Sequence, residues 1–191
     1  MNEGALSTMM GLRGISKASE EIMIARDIIL SERTGVPIHL CHVSTALGVD
    51  LVRQAKQRGA AVTAETCPHY LYFTAEDQAE YGAQLQVNPP LRDAVDQKDL
   101  WHALADGTLD MVSSDHAPHT KAEKAGANPP SGIPGIERMW PLMALAAESG
   151  HITWQRALSL AAGNAADCYA LANRGVIVDG ARADLVILRR R

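Results

Sequence analysis

The residues of this chain best suited to chemistry are an acid and two histidines set close behind a strand-like run. In Leu109-Asp110-Met111-Val112-Ser113-Ser114-Asp115-His116-Ala117-Pro118-His119, segment 109–112 reads as a buried strand and Pro118 stops it. Two earlier strand-like runs end in a similar way. One supplies Cys41, His42 and Ser44, and the other supplies Glu65, Cys67 and His69. In parallel α/β folds, polar groups just past the carboxyl ends of strands are where chemistry sits. A lone histidine there is more often structural than a ligand. Several strand ends that each supply an imidazole or an acid are a different matter. Neutral imidazole and carboxylate together suit Zn²⁺ or a similar divalent ion. His39 and His42 are three positions apart, so strict strand alternation sends them to opposite faces. That reading makes His42 the candidate ligand and packs His39 between strand and helix.

The elements that must position these groups alternate along the chain. Residues 1–14 read as a loop. Residues 17–33 are helical in period, with Ile22, Ala25, Ile28 and Ile29 on one face, Ser16 as N-cap and Gly35 at the end. A strand over 36–43, a helix over 46–58, a strand over 60–66, a loop rich in Pro, His and Tyr, and a short helix over 75–81 follow. Residues 84–87 read as extended, 96–105 as helix, 109–114 as the strand with the acid, and 116–135 as a long loop rich in Pro and Gly. Residues 136–149 and 153–172 read as helices, the second broken near Gly163-Asn164. Residues 175–188 alternate weakly, as a strand pair turning at Asp179-Gly180 would. This order implies a parallel α/β architecture.

Composition narrows the function classes. The 191 residues are 47% hydrophobic and 21% charged, which fits a soluble globular chain able to bury a core. Aromatics are only 4%, so Ala, Leu, Ile, Val and Met must fill that core. The net charge of −4, with no basic block before Arg189-Arg190-Arg191, gives nucleic-acid binding no electrostatic support. No apolar run approaches the roughly 18 residues of a membrane span. The segment after Met1 lacks the basic and apolar regions of a secretory signal. Cys41, Cys67 and Cys168 follow no disulfide spacing, so a reducing, cytoplasmic setting is expected.

Four runs resemble the type I dihydroorotases of the amidohydrolase superfamily. They are Ile38-His39-Leu40-Cys41-His42-Val43-Ser44-Thr45, Glu65-Thr66-Cys67-Pro68-His69-Tyr70, Asn88-Pro89-Pro90-Leu91-Arg92 and Ser114-Asp115-His116-Ala117-Pro118-His119. The likeness extends from Asn2-Glu3-Gly4 to Ala183-Asp184-Leu185-Val186-Ile187. The run at Asp115 is highly specific; the run at Glu65 is shared with allantoinases and hydantoinases. The resemblance implies an α/β fold, the C-terminal part of a TIM-like (β/α)₈ barrel of a metal-dependent hydrolase. Residues 1–172 would hold about strands six to eight with their helices, and 173–191 would begin a small C-terminal β domain. The implied activity is zinc-dependent, reversible hydrolysis of (S)-dihydroorotate to N-carbamoyl-L-aspartate in pyrimidine (UMP) biosynthesis. Two zinc ions in the full-length enzyme, a homo-oligomer and association with an aspartate transcarbamoylase belong to the same expectation.

By that resemblance His42 and Asp115 are metal ligands, and Asp115 is also the acid/base. Asn88 and His119 hold substrate. Ser131 and Gly132 lie in a loop that meets the pyrimidine ring through its backbone. Cys41 and Glu65 match positions that approach an additional metal in some relatives. These residue types suit the reaction. A divalent ion activates water and polarises an amide carbonyl, and a carboxylate can move the proton to the leaving nitrogen. Asn88 and His119 can donate to a substrate carboxylate.

One departure from the family pattern is large. The chain has no His-x-His pair, which dihydroorotases carry on the first barrel strand, and by resemblance it begins just after the fifth-strand histidine. His42 and Asp115 fall short of the three or four ligands typical of zinc. The isolated chain is therefore expected to be inactive, and its open strands to fold poorly or associate. Two other readings compete. A related cyclic amidase, allantoinase or dihydropyrimidinase, shares most motifs but usually carries another residue at the His119 position. A non-catalytic dihydroorotase-like scaffold of a transcarbamoylase fits the missing pair, but would not need His42, Asn88, Asp115 and His119.

Overall fold

The computed structural model describes residues 1–187. Its frame is three parallel strands, β1 (Ile38–Leu40), β2 (Val62–Thr66) and β3 (Met111–Val112), lying in the order β1-β2-β3. Ile38 stands opposite Val62 and Leu40 opposite Ala64; Thr66 stands opposite Val112. Every crossover is helical. After α1 (Ala5–Met9), α2 (Lys17–Thr34) leads into β1, and α3 (Ala46–Gln57) joins β1 to β2. Between β2 and β3 come α4 (Pro68–Tyr72), α5 (Ala75–Tyr81), a 3-10 turn at Gly82–Leu85 and α6 (Ala94–Asp106). Beyond β3 lie α7 (Lys121–Lys124), α8 (Ile136–Glu148), α9 (Trp154–Leu158), a π turn at Ser159–Gly163 and α10 (Asn164–Cys168).

Local sequence explains the helices that flank the sheet. The Thr45 hydroxyl accepts the Gly48 N–H and starts α3, whose Val49, Val52 and Ala55 are fully buried. Asp93 accepts from the Val95 and Asp96 N–H groups to start α6, and Gly107, at φ 90, ends it. Leu100, Ala103 and Leu104 form its inward face. They join Leu71, Leu91, Leu109, Met143 and Leu160 in one apolar core.

Several expectations change. Strand pairing stops at Leu40 because the chain turns at His42, whose φ is 58, so β1 is shorter than 36–43. In α2 the buried side is Ile24, Ile28 and Ser31, while Ile22 is 66% and Ile29 56% exposed. Segment 68–72 is helical, with Pro68 in the first turn, where a missing N–H is harmless. Residues 82–85 form a 3-10 turn in place of the extended run. The break at Gly163-Asn164 is a π turn, and the Asn164 amide donates to the Asp110 carbonyl at 2.6 Å. The strand pair does not form: 175–187 holds no strand. Its apolar side chains have no sheet to join, leaving Ile177 86% and Ile187 87% exposed. Positions 188–191, including the terminal Arg run, lie outside the described residues.

One buried ion pair ties the sheet to its surroundings. Arg92 donates to Ser44 Oγ (3.1 Å), Asn2 Oδ1 (2.8 Å), the Ile15 carbonyl (3.0 Å) and Glu20 Oε2 (3.2 Å). Glu20 in turn accepts from the Ser44 N–H (2.8 Å) and the Ser44 hydroxyl. The network clamps the start of α2, the chain after β1 and the segment following Asn88. Removing one partner strands a buried charge. Arg92→Ala is expected to lower stability by about 3–5 kcal/mol, read as the shift in a urea unfolding curve. A shift below ~1 kcal/mol would show that the network contributes little.

Candidate metal-dependent active site

The strands end on one side of the sheet, and the groups that follow them meet there. Two residues past β1, His42 adopts the left-handed conformation, and three past β3, Asp115 does the same at φ 43. Such backbone costs on the order of 1–3 kcal/mol outside glycine and persists where its surroundings impose it. The result is that His42 Nε2 lies 4.0 Å from Asp115 Oδ1.

Glu65, near the end of β2, stands between the histidines. Its Oε1 is 3.2 Å from His42 Nδ1 and its Oε2 3.3 Å from His39 Nε2. Burial alone would raise its pKa. Hydrogen bonds from His39, His42 and Ser113 outweigh that and hold it at about 2, so the group is ionised. The bond to Glu65, and then the nearby Asp115 charge, raise the pKa of His42 against its partial burial. Strict alternation separated His39 from His42, but both reach one carboxylate. Alternation holds only within a strand, and β1 has ended before His42. The second ring nitrogen of His39 meets Thr63 Oγ1 at 2.8 Å.

His69 and Cys67, candidate groups of the second strand end to which the sequence assigned no role, also reach the site. The Pro68-initiated turn of α4 folds His69 inward until it is only 3% exposed. Its Nε2 lies 3.8 Å from Asp115 Oδ2 and has no hydrogen-bond partner among the described residues. Burial, reinforced by the neighbouring His42, lowers its pKa to about 4, so the imidazole is neutral at pH 7. Cys67 Sγ is 3.4 Å from His42 Nδ1, and burial pushes its thiol pKa far up. Two trios of possible ligand atoms therefore arise, each within 4.8 Å: His39, Cys41 and Glu65, and Cys67, His69 and Asp115. The signal for His69 was its place in a Pro-led turn directly after a strand end.

Of the residues expected to hold substrate, His119, Ser131 and Gly132 lie on the strap 116–135 and Asn88 lies outside it. His119 Nε2 is 3.0 Å from the Ser131 carbonyl. The Gly132 N–H donates to the Gln86 carbonyl at 2.9 Å, so that donor is already engaged. Lys124 Nζ donates to the carbonyls of Gln86 (3.2 Å) and Pro130 (2.9 Å). Asn88, two residues beyond Gln86, borders a cavity of about 390 Å³ that His39, Cys41 and Arg92 also line. His116 does not join the site. Its Nδ1 accepts the N–H groups of Gly135 (3.1 Å) and Ile136 (3.2 Å) at the start of α8.

Parallel strands with helical crossovers, and a carboxylate–imidazole cluster at their carboxyl ends, are the arrangement of part of an α/β barrel. The amidohydrolase family profile matches residues 15–190, and the chain belongs to that family. It is similar to the dihydroorotase of Acetivibrio thermocellus, at 45% identity over 98% of this chain and 45% of that protein. The Lactiplantibacillus plantarum dihydroorotase is 41% identical over 98% of this chain and 44% of its own length. Among solved structures, D-hydantoinase from Bacillus sp. AR9 superposes with a TM-score of 0.80 at 30% identity, covering 88% of this chain and 39% of that one. The L-hydantoinase (dihydropyrimidinase) from Arthrobacter aurescens gives 0.79 at 28%, covering 85% and 38%. The chain thus spans under half the length of these relatives. Among the described residues, no helix is long and apolar enough to cross a membrane.

Two predictions follow from this geometry. A Cβ at Gly135 would sit 2.0 Å from the Ser114 carbonyl oxygen, beside Asp115. Gly135→Ala is therefore expected to lower stability by about 1–3 kcal/mol in thermal unfolding, and an unchanged midpoint would contradict the packing. Glu65 is held near pH 2 against an ordinary 4.5, so its contribution is full above about pH 4.5 and fades as pH falls towards 2. Glu65→Gln in the metal-free chain should therefore be less stable than the parent at pH 7. The gap should narrow between pH 4.5 and 2, as followed by urea unfolding across that range.

Proposed function

We propose that this chain carries part of the active site of a dihydroorotase, which reversibly hydrolyses dihydroorotate to N-carbamoyl-L-aspartate. The observation that carries the reading is the 4.0 Å approach of His42 and Asp115 from separate strand ends. The similarity to dihydroorotases over 98% of the chain supports it. In this reading residues 1–172 are the barrel part and 173–191 the segment after it.

The donor set fits a divalent cation. Imidazole, thiol and carboxylate groups converge in two trios, His39, Cys41 and Glu65, and Cys67, His69 and Asp115. His42 and Asp115 would hold zinc, with Cys41 and Glu65 placed beside them for a further ion. A bound ion supplies Lewis acidity towards the amide carbonyl and acidifies water. The chain's own groups do the rest. Ionised Glu65 holds the Nδ1 side of His42 and leaves Nε2 facing Asp115. Asp115 takes the proton of the attacking water and returns it to the ring nitrogen as the C–N bond breaks. Asn88 and His119 supply polar groups for the substrate carboxylate, and the Ser131-Gly132 backbone borders the ring. A cytoplasmic homo-oligomer, associated with an aspartate transcarbamoylase, completes the proposal.

A hydantoinase-type cyclic amidase is the second reading, favoured by the superposition on D-hydantoinase. Dihydroorotate carries a carboxylate that hydantoin lacks, and that charge gives the test. Calorimetry on the zinc-loaded chain is expected to detect N-carbamoyl-L-aspartate. Asn88→Ala and His119→Ala should each weaken that binding about tenfold. Preference for uncharged hydantoin would favour the second reading and sink the first. In a preparation that turns over dihydroorotate, Asp115→Asn is expected to lower kcat by about 10²–10⁴-fold, measured by ring absorbance.

A further inference from the structure

We propose that His69 is a positioning residue for Asp115: its Nε2–H is the donor that fixes Oδ2 and turns Oδ1 towards His42. The proposal rests on the reading of Asp115 as the reacting carboxylate.

His69 is 3% exposed, and its Nε2 has no hydrogen-bond partner among the described residues. A ring N–H left this way inside a protein is costly, and native structures rarely tolerate it. Asp115 Oδ2 stands 3.8 Å away, just beyond hydrogen-bond range. The Asp115 side chain is 23% exposed, so it has room to turn, whereas His69 does not. The Tyr70 ring packs edge-on against His69, centroids 4.2 Å apart, and the Tyr70 hydroxyl donates to the Pro89 carbonyl at 2.8 Å. The histidine is thus the fixed partner and the acid the movable one.

Geometry decides what such a partner can do. A donor that fixes one carboxylate oxygen orients the group and leaves the second oxygen able to accept a proton. Oδ2 then answers to His69, while Oδ1 remains 4.0 Å from His42 Nε2. Only the Nε2–H tautomer of a neutral imidazole can fill this role.

Two measurements test it. The first uses the metal-free chain and imidazole nitrogen NMR. The Nε2–H tautomer is expected at His69, with an Nε2 resonance that moves in Asp115→Ala. A dominant Nδ1–H tautomer, or no response to Asp115→Ala, overturns the proposal. The second titrates the full chain with Co²⁺ and follows its absorption. His69→Ala should weaken binding about tenfold or more, and His69→Gln, which keeps an N–H donor, should restore it to within about threefold. His69→Gln as weak as His69→Ala, or His69→Ala as tight as the parent, overturns the proposal. Absence of Co²⁺ binding by the parent would instead count against the metal-site reading, with the NMR result still deciding the role of His69.

Discussion

Burying a carboxylate is unfavourable unless donors or cations meet it, and Glu65 is buried at the end of the central strand. It stays ionised because two imidazoles and Ser113 reach it together. That requirement shapes the surrounding chain. For His39 and His42 both to face one carboxylate, β1 must stop at Leu40 and the backbone must turn left-handed at His42. The turn aims the other nitrogen of His42 at Asp115, which is brought close by the pairing of β2 with β3. The geometry of the candidate site is thus largely the set of contacts that keeps one buried charge satisfied.

More distant contacts hold that arrangement in place. Arg92 and Glu20 clamp Ser44, two residues beyond His42, and Arg92 sits four residues beyond Asn88. On the other side, His116 caps the start of α8 immediately after Asp115, and Gly135 lets the Ser114 carbonyl pass. Both strand-end turns are therefore pinned one or two residues downstream by groups outside the carboxylate–imidazole cluster. Gln86 and Lys124 tie the strap to the segment leading into Asn88, so the residues proposed for substrate share one support.

What could be read in the sequence was local. Asp115 and His42 stand out because polar groups just past apolar strand runs are conspicuous, and the order of helices and strands announced a parallel sheet. The misses came from tertiary context. Period-two alternation predicted His39 and His42 on opposite faces, but the rule lapses once a strand ends, and no residue type marks a left-handed histidine. His69 lay in what looked like a polar loop, and only the helical turn started by Pro68 carries it inside. Ile22 and Ile29 matched a helical stripe but lie outward, because Ile24 and Ile28 win the inward face of α2. Segment 175–187 alternates like a strand, but alternation without a sheet to pair with leaves it irregular.

The two carboxylates of the cluster divide the work by environment. Glu65 is buried, doubly paired and held at about pH 2, so it has no proton to exchange near neutrality. Asp115 is partly exposed, and its contacts to His42 and His69 are 4.0 and 3.8 Å, longer than hydrogen bonds. The acid proposed to move a proton is thus less tightly engaged than the one that holds its neighbours in place. The imidazoles divide in the same way. His42 is drawn towards the charged form by its carboxylates, while His69 is kept neutral by burial. One fixed acid, one freer acid, one charge-linked histidine and one neutral histidine stand within a few ångströms, a separation of environments that supports the proposed acid–base reading.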